Sequence, residues 1–260
     1  MPTTPSSFIW YELATSDVAK AASFYGAVVG WSARDSGQPG MDYRLWSMGD
    51  AMVGGLMTIP ADAAANGMRP VWLGYVSVAD VDASVTAIIA AGGGVRMPAM
   101  DIPGVGRMAM VTDPQGAALY VMTPMGEGPS TAFASGKPGH GGWHELHTTD
   151  WQAALAFYST QLGWGKSEAL DIGEMGTYLL FNAGGEPIGG MMNSPDVPRP
   201  MWLYYFNVDN IQAAKSRLES AGGSVLHGPV QVPGGSWVLQ ARDPQGAMFA
   251  LVEPAPPRMA

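Results

Sequence analysis

A tandem repeat constrains this chain more than any other feature. Trp10-Tyr11-Glu12-Leu13-Ala14-Thr15-Ser16-Asp17 returns as Trp143-His144-Glu145-Leu146-His147-Thr148-Thr149-Asp150, 133 positions later. Phe24-Tyr25 and Gly30-Trp31 recur at the same offset as Phe157-Tyr158 and Gly163-Trp164. Gly54-Gly55 matches Gly189-Gly190 at 135, and Trp72-Leu73 and Asp113-Pro114-Gln115-Gly116-Ala117 match Trp202-Leu203 and Asp243-Pro244-Gln245-Gly246-Ala247 at 130. Self-similarity of this kind sets the architecture before any local reading does. The expected layout is a first domain over 1–124, a Gly/Pro-rich linker over 125–142 without apolar periodicity, and a second domain over 143–260.

Each copy divides again. Residues 8–14 alternate around aromatic and branched side chains, as a strand does. Asp17 stands where an N-cap belongs, before a short amphipathic helix that should stop at Gly30. Strand-like runs follow near 31–35, 43–48 and 52–58. The pattern then restarts with a strand at 72–78, a helix over 80–90, and strands near 95–98, 106–112 and 117–122. Pro60–Pro70 reads as a surface loop. The spacing predicts an α+β fold of four βαβββ units, two per copy.

Composition narrows what such domains can do. With 47% hydrophobic and 13% charged residues among 260, the chain can bury a sizeable core. Thirteen Lys and Arg against 22 Asp and Glu leave a net charge of −9. That balance argues against nucleic acid and anionic membrane as partners. The absence of cysteine excludes disulfides, thiolate metal sites and cysteine nucleophiles. Neither a signal-peptide pattern nor an 18-residue apolar run is found, so the expectation is a cytoplasmic protein, monomer or homodimer, with a small-molecule ligand or substrate.

The opening strand ending in Asp, the Phe-Tyr helix, the Gly-Trp that follows and the Asp-Pro-x-Gly hairpin resemble the vicinal oxygen chelate superfamily. That group holds glyoxalase I, bleomycin-resistance proteins and extradiol dioxygenases, and within it the chain looks most like tandem glyoxalase-like proteins of the actinobacterial "hydroxylase" type. The resemblance implies two tandem domains, each a curled sheet forming a cup with helices outside and a ligand within. It also implies metal ligands at defined strand positions. Here those positions hold Trp10 and Trp143, Leu73 and Leu203, Tyr120 and Ala250, and Gly54 and Gly189, so no metal and no other cofactor is expected.

Strand alternation then names the cup-facing side chains. Trp143 inward brings Glu145 and His147 with it, against Trp10, Glu12 and Ala14 in the first copy. Leu203 inward brings Tyr205 and Asn207, against Leu73, Tyr75 and Ser77. A carboxylate on an apolar wall can serve as a general acid or base, with an imidazole and a phenol as partners. The expected catalytic residues are therefore Glu145, His147 and Tyr205, with Glu12 and Tyr75 in the first copy. Trp10, Trp143, Leu73, Leu203, Asn207, Tyr120, Trp237 and Trp46 are the expected ligand-binding wall. Trp31 and Trp164 read as core, His144 as facing away from the cup, Glu253 as pointing away from it, and His140 as solvated.

Three functions stay open. One is a metal-independent isomerase, lyase or hydrolase acting on an apolar or aromatic small molecule. The second is a non-catalytic protein that binds a drug or metabolite and so confers resistance. The third is a metal-dependent glyoxalase or dioxygenase with unusual ligands.

Overall fold

The computed structural model describes residues 5–38, 42–126, 128–195 and 197–256. The first copy forms β1 (Phe8–Thr15), α1 (Val18–Val29), β2 (Ser32–Asp35), β3 (Tyr43–Met48) and β4 (Ala51–Thr58). After a five-residue helix α2 (Ala61–Ala65), it continues through β5 (Val71–Ser77), α3 (Val81–Ala90), β6 (Gly94–Ile102), β7 (Gly106–Thr112) and β8 (Ala118–Pro124). Among the described residues the second copy repeats the series without a counterpart of α2. It runs β9 (Gly141–Thr148), α4 (Trp151–Leu162), β10 (Gly165–Asp171), β11 (Thr177–Asn182) and β12 (Pro187–Asn193), then β13 (Met201–Asn207), α5 (Ile211–Ser220), β14 (Ser224–Gln231), β15 (Trp237–Arg242) and β16 (Met248–Glu253). The sequence-predicted elements are present, and α2 corrects the reading of Pro60–Pro70 as plain loop. The four βαβββ units make two eight-stranded sheets, in the orders β2-β3-β4-β1-β5-β8-β7-β6 and β10-β11-β12-β9-β13-β16-β15-β14. Among the described residues no helix is long and apolar enough to cross a membrane.

Local chemistry sets the helix ends as the sequence implies. Asp17 and Asp150 are extended and accept from the N–H groups of Lys20 and of Gln152 and Ala153, so each caps its helix. Gly30 and Gly163 end the same helices in the left-handed region, at φ 90° and 71°. Burial follows the face of each element. Val18, Ala21, Phe24, Tyr25, Val28 and Val29 of α1 are all buried, one stripe at helical spacing.

By compactness the chain groups into two units that cut across the sequence order. One contains residues 1–9, 73–129 and 144–203, and the other contains 10–72, 130–143 and 204–260. Each therefore combines half of one copy with half of the other.

In the unit built from residues 1–9, 73–129 and 144–203, Tyr158 of α4 donates to Asp113 Oδ2 at 3.1 Å and accepts from Trp202 Nε1 at 3.2 Å. Asp113 Oδ1 meanwhile accepts from the N–H groups of Gln115, Gly116 and Ala117, which makes the Asp-Pro-Gln-Gly turn. Burial pushes the Asp113 carboxyl up, against the lowering effect of those hydrogen bonds. His144 is fully buried here, stacked on Phe8 with centroids 3.8 Å apart, and its Nδ1 bonds to Ile188 O. Desolvation drives its pKa down to about 3.

In the other unit Tyr25 of α1 donates to Asp243 Oδ2 at 3.1 Å and accepts from Trp72 Nε1 at 2.8 Å. Burial raises both Tyr25 and Asp243 above their ordinary values. Trp31, Trp46, Trp72 and Phe206 pack around Tyr25 and one another with ring centroids 4.8–5.8 Å apart. Trp46 is fully buried in this cluster, which corrects its expected place on a ligand wall. The register explains it. Trp46 stands opposite Gly54 on β4, three residues from Tyr43, so the two rings leave opposite faces of β3.

The segment ahead of β9 is also packed. Asn207 Nδ2 donates to the carbonyls of Ala134 and His140, and Asn207 O accepts from Gly139 N. Asn207 thus braces this segment, which corrects its expected role on a ligand wall. His140 is 1% exposed with Nδ1 against Thr131 O, so it is a core residue and not a solvated one.

Candidate active site

The residue types capable of acid/base chemistry meet on β9, β11 and β12. Alternation along β9 places Glu145 and His147 on the face opposite His144. Glu145 is 7% exposed and is paired across the ladder with Gly190. Gly190 has no side chain, and a Cβ there would run into the ring of Tyr178. The glycine is what lets the tyrosine from β11 lie across β12 to reach Glu145. Tyr178 Oη donates to Glu145 Oε2 at 2.8 Å, and His147 Nε2 lies 2.8 Å from Glu145 Oε1. His147 Nδ1 is 2.8 Å from Ser194 Oγ, just beyond β12.

An ionised Glu145 carboxylate only accepts, so Nε2 of His147 would carry the hydrogen on that side. With the imidazole neutral, Nδ1 would then accept from the Ser194 hydroxyl. The side chains of His147 and Glu145 are 14% and 9% exposed, so the pair is shielded without being sealed. The strand end that holds His147 is itself clamped. Gln115 Oε1 accepts from the Thr148 hydroxyl and from Asp150 N, both at 2.8 Å, and Gln115 Nε2 donates to Asp150 O at 2.8 Å.

The first copy builds a reduced version. Trp10 Nε1 donates to Tyr43 Oη at 3.0 Å, and a Cβ on Gly55 would overlap the Tyr43 hydroxyl. Glu12 is buried and paired with Gly55 on β4. Ala14 and Ile59 stand where the second copy has His147 and Ser194, and both are buried.

Of the other sequence-predicted residues, Tyr75 and Tyr120 are buried and stacked on each other with centroids 4.2 Å apart. Tyr205 Oη accepts from Gln240 Nε2 at 2.9 Å. Leu73 and Leu203 are buried, while Trp10, Trp143 and Trp237 are partly exposed. Glu253 accepts from the Ile211 N–H at 2.7 Å, a cap at the start of α5. Tyr178, Ser194 and Gln240 escaped the sequence reading, although Tyr43 and Tyr178 share the 135-residue offset of the Gly-Gly pairs.

The family model for the glyoxalase/bleomycin resistance protein/dioxygenase superfamily matches residues 7–121 and again 141–251. The chain belongs to that superfamily. The Mycobacterium tuberculosis protein named "Putative glyoxylase CFP32" is 35% identical over 95% of this chain and 94% of that one. The anthracycline biosynthesis protein DauV of Streptomyces sp. strain C5 is 33% identical over 96% of this chain and 94% of its own length. Among solved structures, the Mn(II)-bound glyoxalase of Novosphingobium aromaticivorans superposes with a TM-score of 0.67 at 18% identity, over 97% of this chain and 82% of that one. At that identity the likeness speaks for the fold alone.

That structural neighbour is bound to Mn(II), which raises the question of a metal ion here. Around Glu145 the donors are one carboxylate and one imidazole already bonded to each other, a phenol and a hydroxyl. Among the described residues no three His, Asp or Glu side chains converge as a metal site requires. The residues present do not fit a divalent ion.

Proposed function

We propose that this glyoxalase-superfamily protein is a metal-independent enzyme that moves a proton on a small, largely apolar or aromatic molecule, in the manner of an isomerase or lyase. The observation that carries this reading is the Glu145 carboxylate, buried and held between Tyr178 Oη and His147 Nε2, each at 2.8 Å. Glu145 is the base that takes the proton. Once protonated, Glu145 returns the proton to another carbon of the same molecule, while His147 Nε2 and Tyr178 Oη hold its two oxygens in place. An aromatic ligand fits the relative DauV, named for anthracycline biosynthesis, and the partly exposed Trp143 two residues before Glu145 on β9. The first copy, with Glu12 and Trp10 but Ala14 in place of an imidazole, binds or is purely structural.

The test needs no knowledge of the natural substrate. Protein treated with a chelator is incubated with 2-tetralone in D₂O, and exchange at the acidic carbon is followed by NMR. Glu145→Gln and His147→Ala should each slow exchange by about 10²-fold or more, the usual scale of a positioned acid or base. Glu12→Gln should stay within a few-fold. Exchange that survives Glu145→Gln but not Glu12→Gln would place the chemistry in the first copy. Exchange that needs added metal would overturn the reading.

A further inference from the structure

Ser194 has no part in that proton transfer, yet its hydroxyl lies 2.8 Å from Nδ1 of His147. We propose that Ser194 is a nucleophile and that the second-copy site also hydrolyses small carboxylic esters through an acyl-serine. The proposal rests on Glu145 and His147 as the working pair and adds a covalent step to it.

The geometry has the parts that activate a serine. The hydroxyl lies 2.8 Å from an imidazole nitrogen, and the other ring nitrogen lies 2.8 Å from a buried carboxylate. A nucleophile within reach of a base that a third group orients is the general signature of covalent catalysis. Here the ring is used in the reverse sense to the common triad, with the serine on Nδ1 and the carboxylate on Nε2. Tyr178 fixes the far oxygen of Glu145, so the carboxylate cannot swing away from the ring. Ser194 is partly exposed, which leaves its oxygen open to a reactant.

The two copies vary in step. Position 147 is Ala14 in the first copy and position 194 is Ile59, so imidazole and hydroxyl are present together or absent together. Ser194 is otherwise held by its backbone, with its N–H donating to Thr148 O at 2.8 Å. The loop therefore does not depend on the hydroxyl for its place.

Ser194 Oγ attacks the ester carbonyl carbon while its proton passes to His147 Nδ1, and the imidazolium is stabilised by Glu145 across Nε2–H. The C–O bond to the alcohol breaks, and the alcohol leaves with the proton from Nδ1. Water then repeats the attack on the acyl-serine, gives its proton to Nδ1, and releases the carboxylic acid with Ser194 restored.

Phenylmethanesulfonyl fluoride reads the nucleophile directly, since displacement of fluoride by Oγ leaves a sulfonyl-serine that peptide mass spectrometry can place. Wild type should be labelled at Ser194, and about 10²-fold more slowly in His147→Ala. With p-nitrophenyl acetate, wild type should release a burst of about one p-nitrophenolate per chain, lost in Ser194→Ala. No adduct at Ser194 in folded wild type, or an unchanged burst in Ser194→Ala, would overturn the proposal. Those failures alongside 2-tetralone exchange that Glu145→Gln still abolishes would leave the proton-transfer reading standing. Labelling at Ser194 with exchange indifferent to Glu145→Gln would do the reverse.

Discussion

Gly190 faces Glu145 across the β12–β9 register, and the Tyr178 ring crosses the space that any side chain there would fill. This is the only kind of residue that lets a tyrosine two strands away touch the carboxylate. Gly190→Ala should push Tyr178 aside and free one oxygen of Glu145. The expected result is a fall of about tenfold or more in 2-tetralone exchange with the fold retained by circular dichroism, since losing one positioning hydrogen bond is worth about 1–2 kcal/mol. Unchanged exchange would show that Tyr178 does not matter to the base. At this scale the sequence was half legible. Alternation alone paired Glu145 with His147, because both lie on one strand. Tyr178 and Ser194 come from other strands, and only knowledge of the cross-strand register brings them to the same spot. The matched offsets of Tyr43 with Gly54-Gly55 and of Tyr178 with Gly189-Gly190 were the available clue.

At the scale of elements, the hairpin turn and the Phe-Tyr helix prove to be one device. Tyr158 of α4 serves Asp113, and Tyr25 of α1 serves Asp243, so each helix closes a turn from the opposite copy. Sequence showed both motifs but not their pairing, because nothing local in a strand-turn-strand names the helix that will cover it. Tyr158→Phe leaves Asp113 Oδ2 without this donor and the Trp202 indole N–H without this acceptor, both in the core. Losing these partners should cost about 2–4 kcal/mol, read as a lower urea midpoint. A change below about 0.5 kcal/mol would mean that water replaces the hydroxyl at no loss. The aromatic cluster misled in the same way. Trp46 carries no mark in sequence that separates a core face from a ligand face until its partner Gly54 is known.

For the whole molecule, buried titratable groups pull stability in opposite directions. The His144 pKa falls to about 3, so the unfolded chain binds the extra proton. Its contribution is complete above about pH 6.5 and is lost as pH drops toward 3, at about 1.4 kcal/mol per unit. Asp113 and Asp243 are raised, so they act the other way, favouring the fold below the ordinary carboxylate range and less as pH rises through their folded values. Wild type compared with His144→Phe should isolate the histidine. The variant's urea midpoint should vary less between pH 7 and pH 5, and parallel curves would show that His144 is not the source. The four-unit architecture was readable because repetition survives sequence drift, whereas the grouping of half-copies depends on contacts far apart along the chain. That grouping leaves a single repeat incomplete. A protein made of one repeat would own the tyrosine and the turn but could not close one on the other within the same unit. It would need a second identical chain, related by a two-fold axis, to satisfy both. In such a pair any change at one site is forced on its twin. Joining the chains end to end removes that compulsion, so one copy can hold a histidine and a serine where the other holds alanine and isoleucine.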